Sequence, residues 1–189
     1  MAAPGVIRSF IAIPLSEPVR TAVLEIQNHL KKKLADIRWV RPETMHLTLH
    51  FFGDIDEEKL EKAQAVMVSI ESLFPPFSVS LSGVGAFPSP HRARVFWLGV
   101  HSDRIAELHD TLSARLEQVG FACDRRPFRP HLTLGRSRSH ALKAGHILSQ
   151  EKDIVAGEMT VDRLVLFESE LRPTGAVHRP CRTIHFTAD

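Results

Sequence analysis

The sequence is poor in cysteine, with Cys123 and Cys181 as the two thiols among its 189 residues. Two cysteines without a close partner provide no disulfide framework, and this usage is typical of a reducing compartment. Neither has the neighbouring cysteine or the spaced histidine that a zinc site requires. We therefore expect a cytoplasmic protein without disulfides and without a bound metal.

A long hydrophobic run is also missing. No apolar segment approaches the roughly 20 residues that a membrane-spanning helix needs. Arg8 and Pro14 interrupt the apolar N-terminal stretch, which favours a first β-strand over a secretion signal. With 43% hydrophobic and 24% charged residues, the composition is ordinary for a globular protein, and we predict one bilobal domain over residues 1–189.

The sequence has no strong excess of charge of either sign, since its formal net charge is +2. The composition alone therefore does not indicate a nucleic-acid-binding protein. Residues 125–138 nevertheless hold a cluster of arginines without an acid among them: Arg125, Arg126, Arg129, Arg136 and Arg138. Such a cluster attracts phosphate groups. A basic run alone is more often a solvated loop, but this one flanks a motif that occurs twice.

The repeated motif is HLTL, at residues 46–49 and again at residues 131–134, 85 residues later. Each copy follows an Arg-Pro pair at the same offset, residues 41–42 and 126–127. In an extended strand, side chains alternate between faces, so the histidine and threonine point one way and the leucines point into a core. Two such strands would bring two imidazoles and two hydroxyls to one groove, which suits phosphoryl chemistry without a metal.

The similarity between the two halves extends beyond the motif. Apolar runs predict buried strands over residues 10–13 and 95–98, and helical spacing of apolar residues predicts helices over 18–34 and 103–119. Further elements predicted after each motif are helices over 56–72 and, more weakly, 140–150, closing strands over 77–81 and 161–167, and extra hairpin strands over 84–87 and 182–187. Each half thus reads β-α-β-α-β, which predicts a duplicated α+β fold with pseudo-repeats of approximately 8–90 and 93–175. A pseudo-two-fold relation would place the two HLTL strands side by side across a central groove.

Four segments of the sequence resemble one known family: RSFIAIPL at 8–15, MHLTLHFFGD at 45–54, ARVFWLGV at 93–100 and RPFRPHLTLGR at 126–136. Two His-x-Thr motifs half a chain apart are typical of the 2H phosphoesterases. The chain is most similar to the RNA 2′,3′-cyclic phosphodiesterases, also called the bacterial 2′–5′ RNA ligase family, over nearly its whole length. This resemblance implies a two-lobed fold in which antiparallel sheets line a central groove and helices lie outside.

The resemblance also implies roles for the motif residues. His46 would be the proton donor to the O3′ leaving group, and His131 would be the proton acceptor that activates water, which leaves a terminal 2′-phosphate. Thr48, Thr133 and Arg136 would bind the phosphate. The sequence itself does not distinguish the roles of the two histidines, because an imidazole holds either protonation state near neutral pH. No cofactor and no metal are expected.

Candidate nucleotide contacts are Phe10, Arg126, Arg129 and His178. Members of the family often carry an aromatic residue, commonly tyrosine, near the C-terminus. This sequence contains no tyrosine and has His178 in that region. His50 follows His46 by four residues, and on a regular strand the two would share a face about 13 Å apart, too far for one metal ion. We interpret His50 as either adjacent to the substrate or incidental.

The leading hypothesis is hydrolysis of 2′,3′-cyclic phosphate ends of RNA or oligonucleotides. One alternative is ligation of such ends to 5′-hydroxyl ends as a 2′–5′ linkage. Another is a module that binds RNA ends without catalysis, although the presence of both histidines and both threonines counts against it. We expect an RNA or oligonucleotide partner, no membrane, no obligatory protein partner and a monomer.

Overall fold

Both halves of the sequence contribute strands and helices to an α+β structure. The computed structural model describes residues 5–172 and 175–187. Residues 1–4, 173–174 and 188–189 of the predicted domain lie outside this part, and of these residues 173–174 belong to the second predicted repeat. The described residues form nine strands and four α-helices: β1 Val6–Pro14, α1 Glu17–Lys31, β2 Ile37–Trp39, β3 His46–Asp56, α2 Glu57–Ile70, β4 Phe77–Phe87, β5 Val95–His101, α3 Asp103–Gln118, β6 His131–Ser137, α4 Gly145–Gln150, β7 Val155–Val161, β8 Arg163–Arg172 and β9 Gly175–His185.

The strands build two antiparallel sheets, and each sheet takes strands from both halves of the chain. The first sheet has the order β3-β1-β8-β9 and the second has the order β2-β6-β5-β4-β7. β8 of the second half pairs with β1, and β4 of the first half pairs with β5. The two HLTL strands, β3 and β6, therefore lie in different sheets, and their Cα atoms approach within 8 Å.

The amphipathic helices form where the periodicity predicts them. The apolar stripes of α1 and α3 are buried, namely Val19, Val23, Ile26 and Leu30 in the first and Ile105, Leu108, Leu112 and Leu116 in the second. α2 begins after Asp56, whose carboxylate accepts a hydrogen bond of 2.8 Å from the backbone N–H of Lys59. Such a cap satisfies one of the N–H groups that a helix start leaves unpaired.

The second half differs from its prediction in three places. The helix predicted over 140–150 is shorter and occupies Gly145–Gln150. The strand predicted over 161–167 corresponds mainly to β8, which begins at Arg163 and pairs with β1. β7, which ends at Val161 and pairs with β4, was not predicted. The hairpin strand predicted over 182–187 is the end of a longer strand, β9.

The extra strand predicted over 84–87 is also wrong, since these residues continue β4. Gly83, at φ +71°, and a register shift between Ser82 and Val84 bend the strand without ending it. A glycine adopts such a positive φ at little cost, so one strand can carry a local kink.

The core lies beneath the motif strands. The motif leucines Leu47, Leu49, Leu132 and Leu134 are all buried, as strand alternation predicts. The buried side-chain amide of Gln27 on α1 donates hydrogen bonds of 2.9 and 2.8 Å to the carbonyl oxygens of Val40 and Leu134. This side chain joins the first helix to the second HLTL strand. Within the described residues, no helix is long and apolar enough to cross a membrane.

Candidate active site

A β-bulge interrupts the first HLTL strand. The register of β3 against β1 leaves one extra residue, Leu49, between Thr48 and His50. An extra residue reverses the alternation of side chains beyond it. His46, Thr48 and Phe51 therefore share one face of the sheet, and His50 lies on the opposite face.

The second HLTL strand carries the same irregularity at the same position. The register of β6 against β5 leaves Leu134 as the extra residue between Thr133 and Gly135. The reversal brings Arg136, an odd number of residues after His131, onto the face that holds His131 and Thr133. The bulge is therefore what allows a His-x-Thr-x-x-Arg sequence to present all three polar side chains together.

The imidazole of His46 is held by its backbone surroundings and by aromatic rings. Its Nδ1 donates a hydrogen bond of 2.8 Å to the carbonyl oxygen of Thr44, which assigns the proton to Nδ1 and leaves Nε2 as the free nitrogen. Phe10 stacks on the ring with centroids 4.5 Å apart, and His178 meets it edge-on at 5.3 Å. Burial, together with the nearby His178, lowers the pKa of His46 from 6.5 to about 4.

The imidazole of His131 is held in the same way. Its Nδ1 donates a hydrogen bond of 2.7 Å to the carbonyl oxygen of Arg129, two residues earlier, as His46 does to Thr44. Phe87 meets the ring edge-on with centroids 5.0 Å apart. Burial is the main cause that lowers the pKa of His131, and the positive charge of Arg136 adds to it. Both imidazoles are therefore neutral in the free protein near pH 7, with their Nε2 atoms unprotonated.

One cavity of about 830 Å³ connects the two sheets. Thr48 and Phe51 of β3 line it from one side, and His131 and Arg136 of β6 line it from the other. His46 lies outside this lining but shares a sheet face with Thr48, and Thr133 likewise shares a face with His131. The structure thus brings both motifs to one concave region.

Arg126 and Arg129, two of the candidate nucleotide contacts, also line the cavity, and both are exposed. The guanidinium of Arg126 binds the carboxylate of Asp124 with N–O distances of 2.5 to 3.0 Å. Hydrogen bonds from Arg126 lower the pKa of Asp124 to about 2, so that carboxylate is ionised and balances the arginine. Arg129 has no such partner among the described side chains.

The other two candidate contacts lie beside His46. Phe10 is only 3% exposed, and its ring stacks on His46 and on Phe167, whose ring centroid lies 5.2 Å away. This buried position favours support of the imidazole over contact with a nucleotide. His178 is partly buried, and its Nδ1 has no hydrogen-bond partner among the described residues. Burial, assisted by the charge of Arg41, lowers the pKa of His178.

His50 does not share a face with His46, so the expected 13 Å arrangement is wrong, because the bulge at Leu49 turns His50 inward. His50 is 8% exposed, and the centroid of its ring lies 4.6 Å from that of Phe52. Its Nδ1 atom lies 3.9 Å from the Sγ atom of Cys123. Burial lowers the pKa of His50 to about 4. Among the described residues, no group of three or more histidine, cysteine, aspartate or glutamate side chains is arranged to hold a metal ion.

Sequence reasoning missed Phe51, which is 52% exposed and lines the cavity. The guanidinium of Arg8 lies 4.7 Å from the centre of its ring. Phe51 occupies the same offset from His46 that Arg136 occupies from His131, and the register of both sheets preserves this equivalence. Extending the motif comparison by two residues beyond HLTL would have found it.

This chain is similar to known proteins in both sequence and fold. The chain is 35% identical over 175 residues to an "RNA 2′,3′-cyclic phosphodiesterase" of Methanothermobacter thermautotrophicus, covering 91% of this chain and 95% of the relative. A protein of the same name from Thermotoga maritima is 36% identical over 173 residues, covering 91% of both chains. Among solved structures, TT0787 of Thermus thermophilus superposes with a TM-score of 0.84 at 29% identity, covering 95% of this chain and 98% of that chain.

A family model described as LigT like phosphoesterase matches the chain twice, over residues 13–97 and 98–178. The interlocked sheets and the paired His-x-Thr motifs define an enzyme of the two-histidine phosphoesterase class. The chain belongs to the LigT-like phosphoesterase family. The structure of Escherichia coli LigT complexed with 3′-AMP superposes with a TM-score of 0.76 at 25% identity, covering 97% of this chain and 99% of that chain.

Proposed function

We propose that this enzyme hydrolyses 2′,3′-cyclic phosphate ends of RNA or oligonucleotides to 2′-phosphomonoesters by metal-independent acid–base catalysis. The observation that carries the proposal is the matched presentation of His46 and His131. Each Nδ1 donates to the carbonyl two residues earlier, which leaves both Nε2 atoms free on the faces that also hold the motif threonines. The names of the relatives supply the substrate class.

The reaction needs one base and one acid. Nε2 of His131 takes a proton from water as the water oxygen attacks phosphorus. The bond from phosphorus to O3′ breaks, and Nε2 of His46 gives its proton to O3′, so the phosphate remains on O2′. General acid–base assistance of this kind contributes roughly 10²- to 10⁴-fold to a rate.

The remaining motif side chains bind the phosphate. The hydroxyls of Thr48 and Thr133 donate hydrogen bonds to its non-bridging oxygens, and the guanidinium of Arg136 stabilises the negative charge that grows in the transition state. Arg136 is exposed and lines the cavity beside His131, which suits a group that meets an incoming anion. Arg126, Arg129 and His178 remain proposed nucleotide contacts, with Phe10 supporting His46 from behind.

The proton on His46 must arrive with the substrate. A pKa of about 4 leaves His46 neutral in the free enzyme at neutral pH. A nearby negative charge favours the imidazolium form and raises the pKa of a histidine. The bound cyclic phosphate therefore supplies the electrostatic reason for His46 to take up the proton that it later gives to O3′.

The test is incubation with a nucleoside 2′,3′-cyclic phosphate and with a cyclic-ended oligonucleotide, followed by identification of the hydroxyl that keeps the phosphate. We expect a 2′-phosphate and unchanged rates in excess EDTA. His46→Ala and His131→Ala should each abolish turnover while binding of the 2′-phosphate product persists. A 3′-phosphate product, or activity lost in EDTA and restored only by metal, would contradict the mechanism. Binding without turnover by the wild type would instead indicate an RNA-end binding module.

A strand with a 5′-hydroxyl end, added to the same reaction, tests ligation. The 5′-hydroxyl then replaces water as the attacking group: Nε2 of His131 takes its proton, and Nε2 of His46 again gives its proton to O3′, which leaves a 2′–5′ linkage. We expect hydrolysis to dominate because water is in large excess. A 2′–5′-linked product as the main species would reassign the enzyme as a ligase.

A further inference from the structure

Two arginines face each other across the edge of the second sheet. In the register of β2 against β6, Arg38 is the direct partner of Arg136, and both side chains are exposed. Like charges directly opposite each other in an antiparallel pair are destabilising. An anion that lies between or beside the two guanidinium groups would relieve this repulsion.

In the part of the chain that the structure describes, no carboxylate balances this pair. Within residues 5–172 and 175–187, neither Arg38 nor Arg136 has an acidic oxygen within 4.0 Å. Asp36, the residue before β2, has other partners: its backbone carbonyl accepts from the N–H of Arg138 and its carboxylate accepts from the hydroxyl of Ser139. Asp36 therefore lies opposite Arg138, and the charges of Arg38 and Arg136 remain unmatched.

The position of Arg38 relative to the cavity distinguishes it from Arg136. A row of directly paired residues crosses the sheet from Phe87 to Val95, then to Arg136 and to Arg38. The first three line the cavity, whereas Arg38 lies one strand further out, at the sheet edge. Directly paired Cα atoms are roughly 4.5–5.5 Å apart. An anion in the cavity thus meets Arg136, and Arg38 is placed for a second anion at the rim.

We propose that Arg38 binds the 5′-phosphate group of the terminal nucleotide, the group that joins this nucleotide to the rest of an RNA chain. This inference rests on the proposed function, in which Arg136 binds the 2′,3′-cyclic phosphate of the same nucleotide. Both phosphates belong to one ribose, so two neighbouring arginines suit them. Arg38 would thereby let the enzyme prefer RNA ends over free cyclic mononucleotides, which lack the 5′-phosphate.

The test compares a nucleoside 2′,3′-cyclic phosphate with the same compound bearing a 5′-phosphate and with a cyclic-ended dinucleotide. The value of kcat/KM for the wild type should be roughly 5- to 50-fold higher for the two substrates that carry the 5′-phosphate group. This preference should shrink as the salt concentration rises, because exposed charges are screened. Equal kcat/KM for all three substrates would overturn the proposal.

Three variants assign the preference to its residue. Arg38→Gln should remove most of it, lowering kcat/KM for the 5′-phosphorylated substrates far more than for the simple cyclic nucleotide, and Arg38→Lys should retain part of it. Arg104→Gln removes one exposed arginine on α3, outside the cavity lining, and should leave the preference unchanged. A preference that survives in Arg38→Gln, or that falls equally in Arg104→Gln, would overturn the assignment.

Binding separates failure of this inference from failure of the proposed function. A nucleoside 2′,5′-bisphosphate should bind the wild type roughly 5- to 50-fold more tightly than the 2′-monophosphate in calorimetry, and Arg38→Gln should abolish the difference. This measurement needs no turnover, so it holds even for an enzyme that hydrolyses none of the cyclic substrates. Equal affinities in the wild type would reject Arg38 as a 5′-phosphate contact whether or not hydrolysis is observed.

Discussion

The imidazoles of His46 and His131 have the same backbone anchor but different neighbours. His46 lies among rings, with Phe10 stacked at 4.5 Å and His178 edge-on at 5.3 Å. His131 has Phe87 edge-on at 5.0 Å and opens on the cavity beside Arg136. Desolvation disfavours the charged form of a histidine, so both environments favour the neutral ring.

This electrostatic arrangement predicts the pH dependence of catalysis. The profile of kcat/KM reports the free enzyme, and it should be bell-shaped because one imidazole must be neutral and the other protonated. The pKa values of His46 and His131 are both lowered from 6.5, so the maximum, which lies midway between them, should fall below pH 6.5. The profile of kcat should peak at higher pH, since the bound phosphate raises both values.

Initial rates over pH 4–8 at limiting and at saturating cyclic nucleotide measure the two profiles. Either single alanine variant of the histidines serves as the control for uncatalysed hydrolysis. A kcat/KM that rises steadily into the alkaline range would contradict catalysis by two imidazoles.

His50, which also lines the cavity, makes a prediction about stability. Its pKa is about 4 in the folded protein and near 6.5 when unfolded, so the unfolded chain binds the proton more readily between these values. The stability of the folded protein therefore carries no cost from His50 above pH 6.5, and it falls as the pH is lowered from 6.5 towards 4. We expect His50→Gln to reduce the loss of unfolding free energy between pH 7 and pH 5 by about 2 kcal/mol.

Urea unfolding at the two pH values measures this loss. His185→Gln, which removes an exposed histidine at the end of β9, is the matched control. A pH dependence that is identical in wild type and His50→Gln would show that His50 does not titrate as a buried group.

At the level of secondary structure elements, the bulges decide which residues reach the site. Leu49 and Leu134 are ordinary buried leucines in the sequence, and strict alternation of side chains predicts that the residues five after each histidine point away. The extra residue in each strand reverses that outcome for Phe51 and Arg136. Arg136 was expected in the site from the family resemblance, whereas periodicity alone would have excluded it.

Other features were predictable from local patterns. The apolar stripes of α1 and α3 and the buried motif leucines follow directly from the 3.6- and 2-residue periods. The pairing partners of β4 and β8 were not predictable, because a period shows which face of a strand is buried and not which strand lies beside it. β7 was missed for a different reason, since Gly157, Glu158 and Thr160 interrupt the apolar pattern of residues 155–161.

Gly135 gives a test of how β2 is held against the bulged strand. A Cβ atom added at Gly135 would lie 2.6 Å from Cγ2 of Ile37 and 3.1 Å from the carbonyl oxygen of Arg38. The contact of 2.6 Å is too short for the stiff, β-branched side chain of Ile37 to stay in place, and the backbone of β2 must also give by a few tenths of an ångström. We expect Gly135→Ala to lower the free energy of unfolding by roughly 1–3 kcal/mol.

Displacement of β2 should also separate Arg38 from Arg136, so the preference for 5′-phosphorylated substrates should fall as well. Ser78→Ala, at an exposed position of β4 in the same sheet, is the control for a small change in a strand. A Gly135→Ala enzyme of wild-type stability and preference would show that β2 adapts without consequence.

At the level of the whole molecule, the repeats interlock. β4 pairs with β5 on one side and with β7 on the other, so both of its partners come from the second half. β1 in turn needs β8 of the second half. Duplication has therefore produced halves that complete each other's sheets, and the cavity takes its lining from both sheets.

The pairing of strands between the two halves predicts what happens when the chain is cut into those halves. Cleavage at the turn of residues 90–92 would give a first half in which β4 has lost both partners and a second half in which β8 has lost β1. Each half would then expose apolar strand faces and unpaired backbone groups, which are costly to leave unsatisfied. We expect neither half alone to show a cooperative thermal transition by circular dichroism.

An equimolar mixture of the halves should recover β-structure and hydrolysis of a cyclic nucleotide, because each supplies the strands that the other lacks. The intact chain, carried through the same unfolding and refolding steps, controls for losses during handling. A half that unfolds cooperatively by itself would mean that its own strand pairs suffice, and that the exchange of β4 and β8 joins two lobes that are already stable.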